Sequence, residues 1–85
     1  MLDETLKHAG RKTIGLKQTQ RALEKGSVER VYVARDADAR IVRPIRELCQ
    51  SHGVECVEVG SMSELGRACG IEVGAAVAAI LADRP

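Results

Sequence analysis

Two stretches, VERVYVARDAD at residues 28–38 and VECVEV at 54–59, are rich in valine and alternate, and a helical pattern fills the gap between them. Branched side chains at a period of two suit a pleated surface, so residues 30–34 and 54–59 are predicted strands. Strand, helix and strand in succession restrict the chain to helices layered on a sheet. The intervening helix is predicted from about residue 40 to 52, with Ile41, Val42, Ile45, Leu48 and Cys49 at helical spacing. Pro44 is expected in its first turn, where a missing N–H does least harm, and Gly53 is its stop.

The flanks continue the alternation. Residues 2–10 suggest a short helix, with Asp3 as cap and Gly10 as stop, and residues 12–14 a short strand. From residue 16 to 25, Leu16, Thr19, Ala22 and Leu23 fall on one arc of a helix, opposite Lys17, Gln18, Arg21 and Lys25. Gly26 ends that helix. A further short helix is predicted within residues 61–70, capped by Ser61 or Ser63 and stopped by Gly70. The run AAVAAILA at 75–82 fits either a helix, on alanine content, or a fully buried strand after a glycine loop; the pattern elsewhere favours the strand. The predicted fold is a single α/β domain spanning residues 1–85, a three-layer α/β/α sandwich on a roughly four-stranded mixed sheet.

With no Phe, no Trp and one Tyr, the 85-residue chain must build its core from aliphatic side chains. It also lacks the stacking platforms on which single-stranded nucleic acid is commonly held. A net charge of +1 gives no general attraction to polyanions, so any nucleic-acid contact requires a local patch. The longest apolar run, residues 74–82, is too short to span a bilayer, and no membrane partner is expected. Three cysteines, an odd set with no signal-peptide pattern, predict free buried thiols and a cytoplasmic setting.

Catalytic groupings are sparse. Cys49, His52 and Cys56 resemble metal-ligand spacing but lack a fourth ligand, and neither a metal nor a cofactor is expected. Asp36 and Asp38 form a carboxylate pair, although alternate acids after a strand commonly make a turn or cap the next helix. The glycines follow neither a phosphate-loop nor a dinucleotide-binding pattern, and an enzyme is not expected.

The stretch IGLKQTQRALEKG at 14–26 carries more information. Its helix opens with Lys-Gln-Thr-Gln at the positive end of the dipole, and the first acid is Glu24. Lys17, Gln18 and Arg21 share one exposed face. Taken alone, such a face is ordinarily solvated surface. Three details favour a ligand: the helix end is electropositive, Gly15 lets another backbone approach, and no acid obstructs access. Gln18 adds an amide able to donate to and accept from a base edge.

GLKQTQRALEKG, RVYVARDAD and ELGRACGIEVGAA, in that order and spacing, resemble the L7Ae/L30e family of ribosomal proteins, which binds kink-turn RNA. The resemblance runs from about residue 12 to 81 and is strongest to the short bacterial members. It implies an α/β/α sandwich with residues 76–81 as a strand, and a structured RNA partner: a helix–bulge–helix with tandem sheared G·A pairs in ribosomal or messenger RNA. It also implies that Gly15, Lys17, Gln18 and Arg21 enter the widened major groove, and that the loop Ile71, Glu72 and Val73 packs on bulge nucleotides. Asp38 matches an acidic position beside the flipped-out nucleotide, with Val42 near the same pocket. Archaeal and eukaryotic members carry Asn-Glu-x-x-Lys where this chain has Lys17, Gln18 and Arg21, and Met62 stands where a basic residue is frequent. A monomeric, cytoplasmic RNA-binding protein is the expectation. Its rival is a protein-interaction module of the same fold, which has no need of Gly15 beside Lys17, Gln18 and Arg21.

Overall fold

A computed structural model describes residues 11–82. The helix expected over residues 2–10 lies outside the described residues. Four strands, β1 (Lys12–Ile14), β2 (Val28–Ala34), β3 (Glu55–Val59) and β4 (Val77–Leu81), alternate with three helices, α1 (Leu16–Glu24), α2 (Ala39–His52) and α3 (Met62–Cys69). The sheet order is β1-β4-β2-β3. β4 runs antiparallel to both β1 and β2, while β2 and β3 pair in parallel through α2.

The two central strands are buried on both faces, which explains why β4 shows no alternation in its sequence. Val77 and Ala79 join β2 residues Val31 and Val33 in a core covered by Ala22 and Leu23 of α1 and Val42, Ile45 and Cys49 of α2. Ala78 and Ile80 join Tyr32 and Ala34 in a second core, covered by Leu65 and Cys69 of α3. Helices on both faces complete the expected sandwich. Tyr32 is fully buried and pairs in register with Ala78, so the small β4 side chain makes room for the phenol ring. β2 begins two residues earlier than expected, because a register shift between Val28 and Arg30 lets the strand continue past Glu29.

Caps set the helix limits. The Asp38 carboxylate accepts from the Arg40 backbone N–H at 2.8 Å and starts α2 at Ala39. Pro44 therefore lies in the second turn, not the first, on an exposed face of the helix. Ser61, not Ser63, caps α3 by accepting from the Glu64 N–H at 3.1 Å, and Glu64 occupies the position of a capping-box acid.

β1, β2 and β3 run one way and β4 the other, so the carboxyl ends of the first three and the start of β4 share one end of the sheet. Each of the first three strands is followed by a helix, and all three helix N-termini open at that end. The Ala34 N–H donates to the Ala76 carbonyl at 2.9 Å and the Gly15 N–H to the Val77 carbonyl at 2.8 Å, stitching the loop before β4 into the same end.

Candidate nucleic-acid interface

The carboxyl end of the sheet gathers three electropositive helix starts, and two of them are offset by acids. At α2, Asp38 caps the backbone and takes both Arg40 guanidinium contacts, Nε at 3.2 Å and Nη2 at 2.8 Å. Its carboxyl is held below the usual range, first by the Arg40 side chain and then by the Arg40 backbone N–H. At α3, Glu64 sits in the first turn, and Asp36 reaches across from the β2–α2 loop to accept from the Met62 N–H at 2.8 Å. Asp36 and Asp38 thus cap different helices.

The α1 start is the exception. Its cap is Gly15, no side chain caps it among the described residues, and its first turn holds no acid. Gly15 takes φ +104°, a conformation that L side chains rarely adopt, and none of the described residues comes within 4 Å of where a Cβ would stand. Glycine is required here by the backbone, and the described residues leave the space beside it open. The first N–H groups of α1 have no partner within the helix, since its bonds begin with Thr19 N–H to the Gly15 carbonyl at 3.2 Å. Lys17, Gln18 and Arg21 are exposed, while Thr19, Ala22 and Leu23 anchor the opposite face. Thr19 is fully buried, and its hydroxyl lies 3.2 Å from that of Thr13 in β1, which holds the helix start against the sheet. The arrangement can accept an anion at the helix end and present an ammonium, an amide and a guanidinium together.

The loop leading into β4 divides its three predicted contact residues. Ile71 turns inward and packs on the second core, Glu72 is exposed, and Val73 is 71% exposed, the one exposed large hydrophobic side chain among the described residues. Val42 is only 7% exposed and forms part of the first core, so its side chain supports α2 from beneath. Asp38 lies at the same end of the sheet as Gly15 and this loop, with its charge committed to Arg40. Lys25 sits at the far end of α1, about 12 Å from Lys17 at the helical rise, and Arg67 is exposed on α3.

Two features of this end were not read from the sequence. The Asp36 cap on Met62 spans 26 residues and leaves no local pattern. Gly66, buried within α3, left a usable one: an interior helix glycine costs about 1 kcal/mol relative to alanine and commonly marks a close backbone approach. Here that approach is made by Val73, whose carbonyl oxygen would stand 2.0 Å from a Cβ on residue 66.

The remaining chemistry is quiet. Cys49 and Cys69 are buried and Cys56 half-buried, all free; burial, then the neighbouring Cys56, pushes the Cys49 thiol up to about 12. Among the described residues no group of three or more His, Cys, Asp or Glu side chains is placed to hold a metal ion, and no helix is long and apolar enough to cross a membrane.

Residues 2–84 match the model of the Ribosomal protein L7Ae/L30e/S12e/Gadd45 family. The RNA-binding protein YbxF of Geobacillus stearothermophilus is 45% identical over 78 residues, covering 92% of this chain and 95% of the relative. The large ribosomal subunit protein eL8 of Halobacterium salinarum is 39% identical over 80 residues, covering 93% of this chain and 67% of the relative. Among solved structures, the Giardia lamblia 15.5kD RNA binding protein superposes with a TM-score of 0.84 at 33% identity, covering 92% of this chain and 68% of that one. Matched over nearly its whole length in sequence, and over most of it in fold, the chain belongs to the ribosomal protein L7Ae/L30e/S12e/Gadd45 family.

Proposed function

We propose that the protein binds RNA, recognising and stabilising a kink-turn: a helix–bulge–helix with tandem sheared G·A pairs. The observation that carries this reading is the start of α1, the one helix N-terminus among the described residues at its end of the sheet without an acidic offset. An acid there would steady the free protein but repel phosphates beside a groove. Lys17 and Arg21 supply charge for the backbone, and Gln18 supplies an amide for a base edge. Val73 supplies an apolar contact from the neighbouring loop. The relatives named as RNA-binding or large-subunit ribosomal proteins support an RNA partner; our reading places that RNA in the ribosome or in a structured messenger RNA.

Binding works by selection. The exposed face of α1 fits a groove opened by the kink and fits a straight duplex poorly, so differential affinity shifts the RNA towards its kinked form. No catalysis, cofactor or membrane enters this role, and the protein acts as a cytoplasmic monomer. Energy transfer between dyes on the two stems of a kink-turn RNA, without divalent cations, tests it. Added protein raises the transfer efficiency; no change at saturating protein contradicts the proposal.

A further inference from the structure

Cys49 and Cys56 meet where α2 ends, and the proposed RNA role uses neither. Backbone bonds set the turn between them: Gly53 caps α2 at φ +66°, and the Val54 N–H donates to the Cys49 carbonyl at 2.8 Å. The chain therefore reverses directly beneath Cys49. Val54 and Cys56 both pack on the first core, to which Cys49 belongs, and Cys56 stands in register with Val31. The two thiols face each other closely enough that each shifts the other's titration. Cys49 is buried and Cys56 half-buried, and both are free. Burial pushes both thiols up, while the Arg46 guanidinium, three residues before Cys49 on α2, acts on both in the opposite sense. Glu58, two residues beyond Cys56, holds Arg46 in place, with Nη2 3.0 Å from Oε2.

What such a pair can hold follows from its ligand count. Zinc closes its structural sites with four ligands, and among the described residues no third His, Cys, Asp or Glu joins these two. A soft ion satisfied by two sulfurs fits instead, and thiolates select Cu(I) over harder ions. We propose that Cys49 and Cys56 form a two-thiolate site for Cu(I), with Arg46 as its counter-charge. Binding breaks both S–H bonds and forms two S–Cu bonds. The protons pass to solvent, and the ion keeps its oxidation state, so no oxidant or reductant is consumed. One Cu(I) on two thiolates leaves a single net negative charge, which the guanidinium offsets. Cys56 gives the way in and Cys49 closes the site from within. Cys69 lies under α3 on the other face of the sheet and takes no part. Cys49 stands about 16 Å along α2 from Asp38 at the helical rise, so the site is separate from the RNA-facing end.

The test titrates the whole reduced protein, without oxygen, with Cu(I) supplied on a coloured chelator such as bicinchoninate. The protein should withdraw one Cu(I) per chain from the chelator and gain the mass of one copper in native mass spectrometry. Its melting temperature should rise, because the ion binds the folded pair. Cys69→Ser keeps these effects, whereas Cys56→Ser and Cys49→Ala lose them. If the buried Cys49→Ala variant does not fold, Cys56→Ser, at the more accessible position, decides the matter alone. Copper taken up only when the chelator is omitted, uptake unchanged in Cys56→Ser, or uptake lost in Cys69→Ser would each overturn the site. A wild-type mass lower by two hydrogens with no copper bound would make the pair a disulfide, and would overturn the metal assignment as well.

Discussion

The Thr13 and Thr19 hydroxyl oxygens lie 3.2 Å apart, and this bond ties the edge strand to the first turn of α1 beneath its exposed residues. Thr19 is fully buried in the described core. Thr19→Val preserves volume and removes the bond. It is expected to lower stability in urea by about 0.5–1.5 kcal/mol, the usual net worth of one hydrogen bond. Thr19→Ala adds a cavity and costs more. Weaker RNA binding should accompany both, since the helix start loses its anchor.

Asp38 gives a prediction with a defined sign in pH. Its folded-state carboxyl is held below the usual value by Arg40, so its contribution to stability is present above the unfolded value near 3.8 and is lost as pH falls through the lower folded value. The wild-type protein should lose melting temperature below about pH 4, the ordinary carboxylate range. Asp38→Asn keeps the α2 cap and flattens that part of this acid limb, whereas Asp38→Ala lowers the melting temperature even at neutral pH.

Charge and base reading at α1 should separate by salt. Lys17→Ala and Arg21→Ala each reduce the slope of log K against log salt by about 1, the share of one phosphate contact. Gln18→Ala leaves the slope unchanged and loses about 1–3 kcal/mol of discrimination between a G·A kink-turn and a substituted one, on the scale measured for base-edge contacts. Binding titrations at several salt concentrations distinguish the two behaviours.

Cysteine chemistry offers an independent check on the core. With its thiol pushed up to about 12 by burial, Cys49 stays protonated at pH 8 and is a poor nucleophile. Iodoacetamide should leave Cys49 unmodified in the native protein and label it fully in denaturant, as read by peptide mass spectrometry. Rapid native labelling of Cys49 would mean that the end of α2 opens readily.

Most of the architecture was legible because it is written in local patterns. The valine alternation of β2 and β3, the helical spacing of α2, and the glycines at 26, 53 and 70, all at positive φ, mark elements without reference to anything distant. β4 was harder, since a strand buried on both faces loses its alternation and its alanines also suit a helix. Lys17, Gln18 and Arg21 could be placed on one exposed face from spacing alone. The split within the 71–73 loop could not, because Ile71 and Val73 are both aliphatic and only the seat on Gly66 decides which faces the core. Val42 likewise reads as an ordinary core position from spacing, and the structure packs it there. The Asp36 cap on Met62 depends on how two loops meet, which no short window contains.

The proposed reading of a kinked RNA through the open start of α1 can be tested on the protein and RNA alone. The direct measurement is an equilibrium titration of the wild-type protein and the Lys17→Ala, Gln18→Ala, Arg21→Ala triple variant against two RNAs: a kink-turn, and the same sequence with its G·A pairs replaced by Watson–Crick pairs. The wild-type protein should bind the kink-turn at least tenfold more tightly than the control, about 1.4 kcal/mol or more, and the triple variant should lose that preference while remaining folded. Equal wild-type affinity for both RNAs would contradict kink-turn recognition, and an undiminished preference in the triple variant would contradict its placement at α1.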